Sequence, residues 1–318
     1  MPNKESQCCE KFKTMIGGQA LIEGIMMRGP DKDAVVIRTG DGLTVETSPR
    51  KKNPAGSVKN WPFIRGVFNF FDSQVVGVKA LLRSADLAPE EMQEEPSKFD
   101  LWLEKKLGNE KFQQAILGVA VAMGLGLSVV LFFLLPMVIS SFFDRWIPNT
   151  VVLNLVEGIL RMGIFMVYML AISRMGEMKR LFSYHGAEHK TIRCYEAGLP
   201  LTVENVRAQT RLHPRCGTSF LLVVVVVSIL VNAVVRLDNT FARMGCHLLL
   251  LPVVVGISYE INRWCGRHDN IVSAVLSAPG KWLQRITTYE PDDGMIECAI
   301  RAMELVIPEE KGSDEWGK

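Results

Sequence analysis

The stretch from Ala115 to Pro136, AILGVAVAMGLGLSVVLFFLLP, decides the fold class. It lies inside a run from Phe112 to Phe143 that holds no Asp, Glu, Lys or Arg. A soluble amphipathic helix keeps a polar face and this run has none. It also exceeds the roughly 20 apolar residues that a helix needs to cross hydrocarbon. Downstream, residues 150–173 (TVVLNLVEGILRMGIFMVYMLAIS) are also long enough to cross but include Glu157 and Arg161. Their i, i+4 spacing lets them pair on a helix, either as a structural ion pair facing the bundle or as a functional intramembrane pair. Cys216 to Val235 is a further uncharged run, built on VVVVV. Met244 to Tyr259 is shorter and carries His247 and Pro252, yet follows so closely that a hairpin with the preceding span is the economical reading. The expected fold is an α-helical integral membrane protein of about four transmembrane helices, with a small N-terminal cytoplasmic portion of α+β character.

Composition agrees with that class. The chain has 318 residues, 48% hydrophobic and 22% charged, with a mean hydropathy of +0.16, too apolar for disorder. Thirty-six Lys and Arg against 34 Asp and Glu leave +2, which argues for neither a DNA binder nor an acidic tail protein. Seven cysteines without regular spacing suit a reducing compartment. The first 30 residues lack the pattern of a cleavable signal peptide.

Basic residues set the expected orientation. Seventeen precede the first span, eight lie in the 173–217 connection and seven follow residue 260, whereas the intervening short loops hold Arg145 alone, and Arg236 with Arg243. By the excess of Lys and Arg on the inner side, both termini and the 173–217 connection face the cytoplasm, in a multi-pass protein of the cell membrane. Three regions follow: 1–110 as a cytoplasmic N-terminal region, 111–260 as a four-span membrane domain, and 261–318 as a cytoplasmic C-terminal region.

In the first region, residues 33–48 flank Gly40-Asp41-Gly42 with Val, Ile and Thr and predict a β-hairpin. GGQALIEGIMMRGP before it can supply another strand with tight turns. Trp61 to Leu82 is either an interfacial amphipathic helix or a fifth span, and its three spaced charges favour the former. Residues 86–100 read as a solvated linker. Asp292 to Ile307 has helical periodicity and should form a short amphipathic helix, followed by a loose acidic tail.

The sharpest chemical signal is Tyr184-His185-Gly186-Ala187-Glu188-His189. His185 and His189, four apart on a helix, project from one face as two ligands of one metal must. The order H-x-x-E-H inverts the H-E-x-x-H zincin pattern, and in either order the glutamate can serve as the base that activates water beside the metal. A third ligand could come from Glu260 or from His213-Pro214-Arg215-Cys216. Three of the five histidines fall within 29 residues of one loop, which strengthens the metal reading. His247, at the opposite face, reads as structural. Cys265 and His268 have ligand-like spacing but no second pair nearby, and a Cys216 nucleophile activated by His213 lacks an orienting third group.

Six stretches together resemble the YqhQ-like family of bacterial membrane proteins: GGQALIEGIMMRGP (17–30), WPFIRGV (61–67), YHGAEHKTIRCYE (184–196), HPRCGTSF (213–220), GISYEINR (256–263) and ITTYEPDDGMIECAI (286–300). The resemblance implies a metal-dependent enzyme with His185, Glu188 and His189, together with His213, Cys216 and Glu260, as metal-site positions. Two functions compete. In one, a divalent metal such as zinc, held at the cytoplasmic face, serves a hydrolase with Glu188 as base and Arg193 or Arg215 on an anionic substrate. In the other, the basic cytoplasmic surface docks on anionic lipid or on a partner such as the ribosome or the protein-translocation machinery. A transporter fits poorly, since no inverted repeat or polar pathway is evident.

Overall fold

The computed structural model describes residues 12–50, 54, 56–88, 109–143, 145–235, 240–268, 270–310 and 312–316. The predicted linker at 86–100 lies outside them from residue 89 onward. The chain forms two compact units, one of residues 1–88, 169–227 and 251–318, the other of 89–168 and 228–250.

The first unit is built on a four-stranded antiparallel meander of β1 (Gly17–Leu21), β2 (Gly24–Arg28), β3 (Lys32–Thr39) and β4 (Gly42–Pro49). The predicted hairpin is β3 and β4, closed by Gly40-Asp41 with Thr39 opposite Gly42. The glycine-rich segment before it supplies two strands rather than one, because Ile22-Glu23 makes a tight turn with Leu21 opposite Gly24. Glu23 takes a positive φ of 51° there, an uncommon conformation for a residue with a Cβ, and its buried carboxylate is gripped by Arg180 and Tyr184.

Both faces of the sheet are covered, which explains why β2 and β3 carry consecutive apolar residues instead of alternating ones. Ile25, Met27, Ala34 and Val36 face α5 (Gly176–Glu196) and α10 (Asp293–Val306), while Leu21 and Met26 face α1 (Ile64–Asp86). The predicted helix at 292–307 is α10, N-capped by Asp292. The tail after it is tied down rather than loose: Asp314 is buried and accepts from Thr14 Oγ1, and Trp316 N–H donates to the Lys13 carbonyl. The reason is that Thr14 and Asp314 complete each other's hydrogen bonds at a buried position.

The apolar stretch of 115–136 belongs to α2 (Asn109–Val129), a π-helical turn at Val130–Leu134, and α3 (Leu135–Ser141). The π turn precedes Pro136, whose ring cannot follow a regular turn without clashing with the carbonyl four residues back. Then come α4 (Thr150–Ile172), the short α6 (Val203–Arg207), α7 (Gly217–Ala233), α8 (Thr240–Arg267) and α9 (Ile271–Thr287). Three segments are long and apolar enough to cross a membrane: Gly118–Ser141, Val151–Ile172 and Gly245–Arg267. The fourth expected span is α7, apolar but only 17 residues long, about 25 Å at 1.5 Å per residue. It starts at Gly217, leaving Cys216 outside it. α1 is not among the three. Within the second unit, Glu157 and Arg161 pair at 2.9 Å as their spacing predicts, and the Arg161 guanidinium lies over the Phe133 ring.

Candidate metal centre

The site is carried by α5, which runs through the first unit with almost every residue from Ser183 to Cys194 buried. Gly186 permits this: a Cβ there would stand 2.1 Å from the Tyr289 carbonyl oxygen, on the segment joining α9 to α10. Helical spacing then puts His185 and His189 on one face with ring centroids 4.3 Å apart. Cys216, the residue before α7, faces them. One ligand atom from each of His185, His189 and Cys216 lies within 4.8 Å of the others.

Each imidazole is fixed by its Nδ1. His185 Nδ1–H donates to the Thr287 carbonyl at 2.9 Å and His189 Nδ1–H to the Arg211 carbonyl at 2.6 Å, since a carbonyl oxygen can only accept. Both rings therefore turn Nε2 inward. This is how proteins orient histidines that ligate metal. His185 Nε2 meets Cys216 Sγ at 3.1 Å. The Thr218 amide donates to the same sulfur at 3.4 Å. Burial opposes charge on both partners, yet the two histidines hold the Cys216 thiol well below its ordinary range. The sulfur in turn carries the His185 pKa up to about 9.

Glu188 closes the group. Its carboxylate accepts from the Gly18 amide, and burial pushes its pKa up against the pull of His185 and His189. A Cβ at Gly18 would stand 3.0 Å from the Glu188 carboxyl carbon and 2.7 Å from the Met26 carbonyl, so a glycine is required there. Among the described residues, Glu188 Oε2 and His189 Nε2 are buried without a hydrogen-bond partner. A buried acceptor without a donor costs about 1–3 kcal/mol, and two of them beside a thiolate describe a place for a cation. The residues present fit a divalent metal of zinc type by donor chemistry, soft sulfur with two imidazoles. Glu188, His189 and Cys216 line a cleft of about 240 Å³ that Arg28, Arg50 and Arg215 also border.

The other residues singled out in the sequence fall around or away from this group. The His213 ring is 5.6 Å from that of His189, but its Nε2 is turned to Glu196 at 3.3 Å. Burial and Arg215 hold its pKa well below the ordinary histidine value. Its backbone is clamped at both ends by Gln284, through 2.8 and 2.7 Å hydrogen bonds. Arg215 pairs with buried Glu196. Arg193 Nε–H donates to the Leu212 carbonyl. Glu260 lies elsewhere, in a two-pronged pair with Arg65 at 2.7 and 2.5 Å.

Sequence reasoning missed Glu196, which anchors the loop that delivers Cys216 by accepting from Thr14 N–H, His213 and Arg215. A signal existed, since Glu196 follows His189 by seven residues and so shares its helix face. Gln284, Thr287 and Gly18 carried none. Among the described residues, Cys194, Cys216, Cys246, Cys265 and Cys298 form no disulfide.

Fold and site thus describe a mostly helical protein with membrane-length apolar helices and a buried His/Cys cluster beneath a small sheet. Residues 61–309 match the family described as "Protein of unknown function (DUF1385)", and the chain belongs to it. It is 34% identical over 308 residues, 96% of each chain, to "Uncharacterized protein YqhQ" of Bacillus subtilis (strain 168), in agreement with the resemblance read from the six stretches. No solved structure matches the chain.

Proposed function

We propose that this is a four-span membrane protein in which His185, His189 and Cys216 hold a divalent transition metal, zinc by donor set, at the cytoplasmic face, serving a hydrolytic enzyme. The observation that carries the reading is the convergence of His185, His189 and Cys216, one ligand atom of each within 4.8 Å of the others, with Glu188 lining the same cleft as His189 and Cys216 and with His189 Nε2 and Glu188 Oε2 lacking any donor. A bound zinc-type ion supplies Lewis-acid activation of water and of a carbonyl or phosphoryl oxygen. Glu188, buried and raised in pKa, takes and returns the proton at Oε2. The Thr287 and Arg211 carbonyls keep both rings oriented, and Arg50 and Arg215 border the cleft where an anionic group would rest.

Four spans are supported by the contents of the first unit. His185 and His213, before α7, bond to Thr287 and Gln284, after α8. Two such segments share one side of a membrane only if α7 and α8 cross an even number of times, so a crossing α8 calls for a crossing α7. The docking reading is less well supported, because the basic residues that would carry it are engaged within the chain: Arg180 with Glu23, Lys190 with Glu290, Arg207 with Asp293 and Arg215 with Glu196.

Elemental analysis of detergent-purified protein tests the metal. About one equivalent of zinc or another transition metal is expected in the wild type by analogy with three-ligand catalytic sites. It should be lost in the His185→Ala, His189→Ala double variant and in Cys216→Ser, with all three proteins monodisperse. Wild-type protein that takes up no metal even after incubation with zinc would sink the reading.

A further inference from the structure

Helix α9 is built inside out for a protein in water. It buries Ser273, Ser277, Gly280, Gln284 and Thr287, with Leu283 the one large apolar residue on that side, and exposes Ile271, Val272, Val275, Leu276 and Trp282. Ile271 is 84% and Val275 64% exposed, the reverse of an amphipathic helix on a soluble core. Small residues along the packed seam with branched apolar residues outward is the pattern of helices surrounded by lipid, where close backbone approach replaces hydrophobic burial. The approach is visible at Gly280, where a Cβ would lie 2.5 Å from Ser219 in the first turn of α7.

We infer that the exposed face of α9 is seated in the acyl region of the membrane's cytoplasmic leaflet, as an interfacial helix bearing on anionic head groups. The inference rests on the reading of α7 and α8 as spans. Three further observations commit the face to lipid. α8 ends at Arg267, three residues before the Asn270 cap of α9, so a crossing α8 delivers α9 at the bilayer surface. From Ile271 to Gly280 there is no charged residue, a length of about 15 Å, too short to span and suited to lying at the interface. From Asn270 to Tyr289 there is no Asp or Glu, while Lys281, Arg285 and the interfacial residue Trp282 mark its second half, a charge balance complementary to anionic lipid. The inner end of the same helix supplies Gln284 and Thr287 to His213 and His185, so the leaflet and the metal centre would be joined by one rigid element.

The test is photo-crosslinking of the full chain, reconstituted in vesicles of phosphatidylethanolamine and phosphatidylglycerol with radiolabelled acyl chains. Benzoylphenylalanine is placed at Val275 on α9, at Val226 in α7, or at Glu297 on the wet face of α10. All three positions are exposed or nearly so, and gel filtration in detergent checks that each variant remains folded. The expected result is acyl label on the Val275 and Val226 variants at comparable yield and none on the Glu297 variant. Label at Val226 but not at Val275 would overturn the inference and leave the membrane reading standing. A covalent dimer through Val275 would overturn it in favour of a second copy of the chain, and absence of label at both would remove the spans and the inference together.

Discussion

In the proposed metal centre, His185 is where protonation and metal binding would compete. Its Nδ1–H is committed to Thr287 and its Nε2 faces the Cys216 sulfur, so the proton shared with that sulfur occupies the position a metal ion needs. The His185 pKa, carried up to about 9 by the neighbouring sulfur against the cost of burial, keeps the ring protonated below that pH. A ligating histidine must be neutral, so binding expels the proton. Apparent zinc affinity is therefore expected to rise with pH up to about 9, by about tenfold per unit, with about one proton released per ion. Competition titrations between pH 6.5 and 8.5 in buffers of different ionisation enthalpy check both numbers, and a flat profile would contradict the imidazolium–thiolate pairing. The sequence signalled His185, Glu188 and His189 through helical spacing alone. It left the third ligand open between Glu260 and the 213–216 stretch, because that choice depends on which distant segment folds over α5.

At the scale of elements, α5 acts as the spine of the site because small residues let its neighbours approach. Gly186 lies under the Tyr289 carbonyl and Ala187 packs into the core with Ile25 and Met27. Gly186→Ala has no room for its Cβ without moving backbone, so a loss of about 1–3 kcal/mol is expected, read by denaturant unfolding in detergent, together with weakened metal retention as Thr287 is pushed from His185. Unchanged stability would mean that the 288–291 segment is not held as described. The β-hairpin and α10 were legible from alternation and from 3.6-residue periodicity. Helix α9 was not: its apolar run is short, Pro279 interrupts it, and its buried side is small and polar apart from Leu283, so a search for an apolar stripe facing a core finds little.

For the whole molecule, charge and packing both support the proposed topology. Basic residues gather before residue 112, in the 173–217 connection and after residue 260, and all of these but the four at 98–111 belong to one compact unit. With four crossings the C-terminus lies in the cytoplasm; with α7 uncrossed it would lie outside. A green fluorescent protein fused after the last residue should fluoresce, and alkaline phosphatase fused there should stay inactive. The opposite pair of results would reduce the spans to three and separate Thr287 from His185. The clasp adds that Thr14 and Asp314, 300 residues apart in sequence, are neighbours at the back of Glu196.

What the sequence determined by itself was local or additive: apolar runs of membrane length, the asymmetry of positive charge, the turn at Gly40-Asp41, and two histidines with a glutamate on one helix face. Such features depend on spacing and composition within about 20 residues. Tertiary structure alone decided that Cys216 rather than Glu260 meets the histidines, that Glu196 and Gln284 hold the loop carrying it, and that the acidic tail is clasped to Thr14. Those outcomes depend on contacts between segments up to 300 residues apart, where packing and the need to satisfy buried polar groups choose among partners that are equally plausible in one dimension.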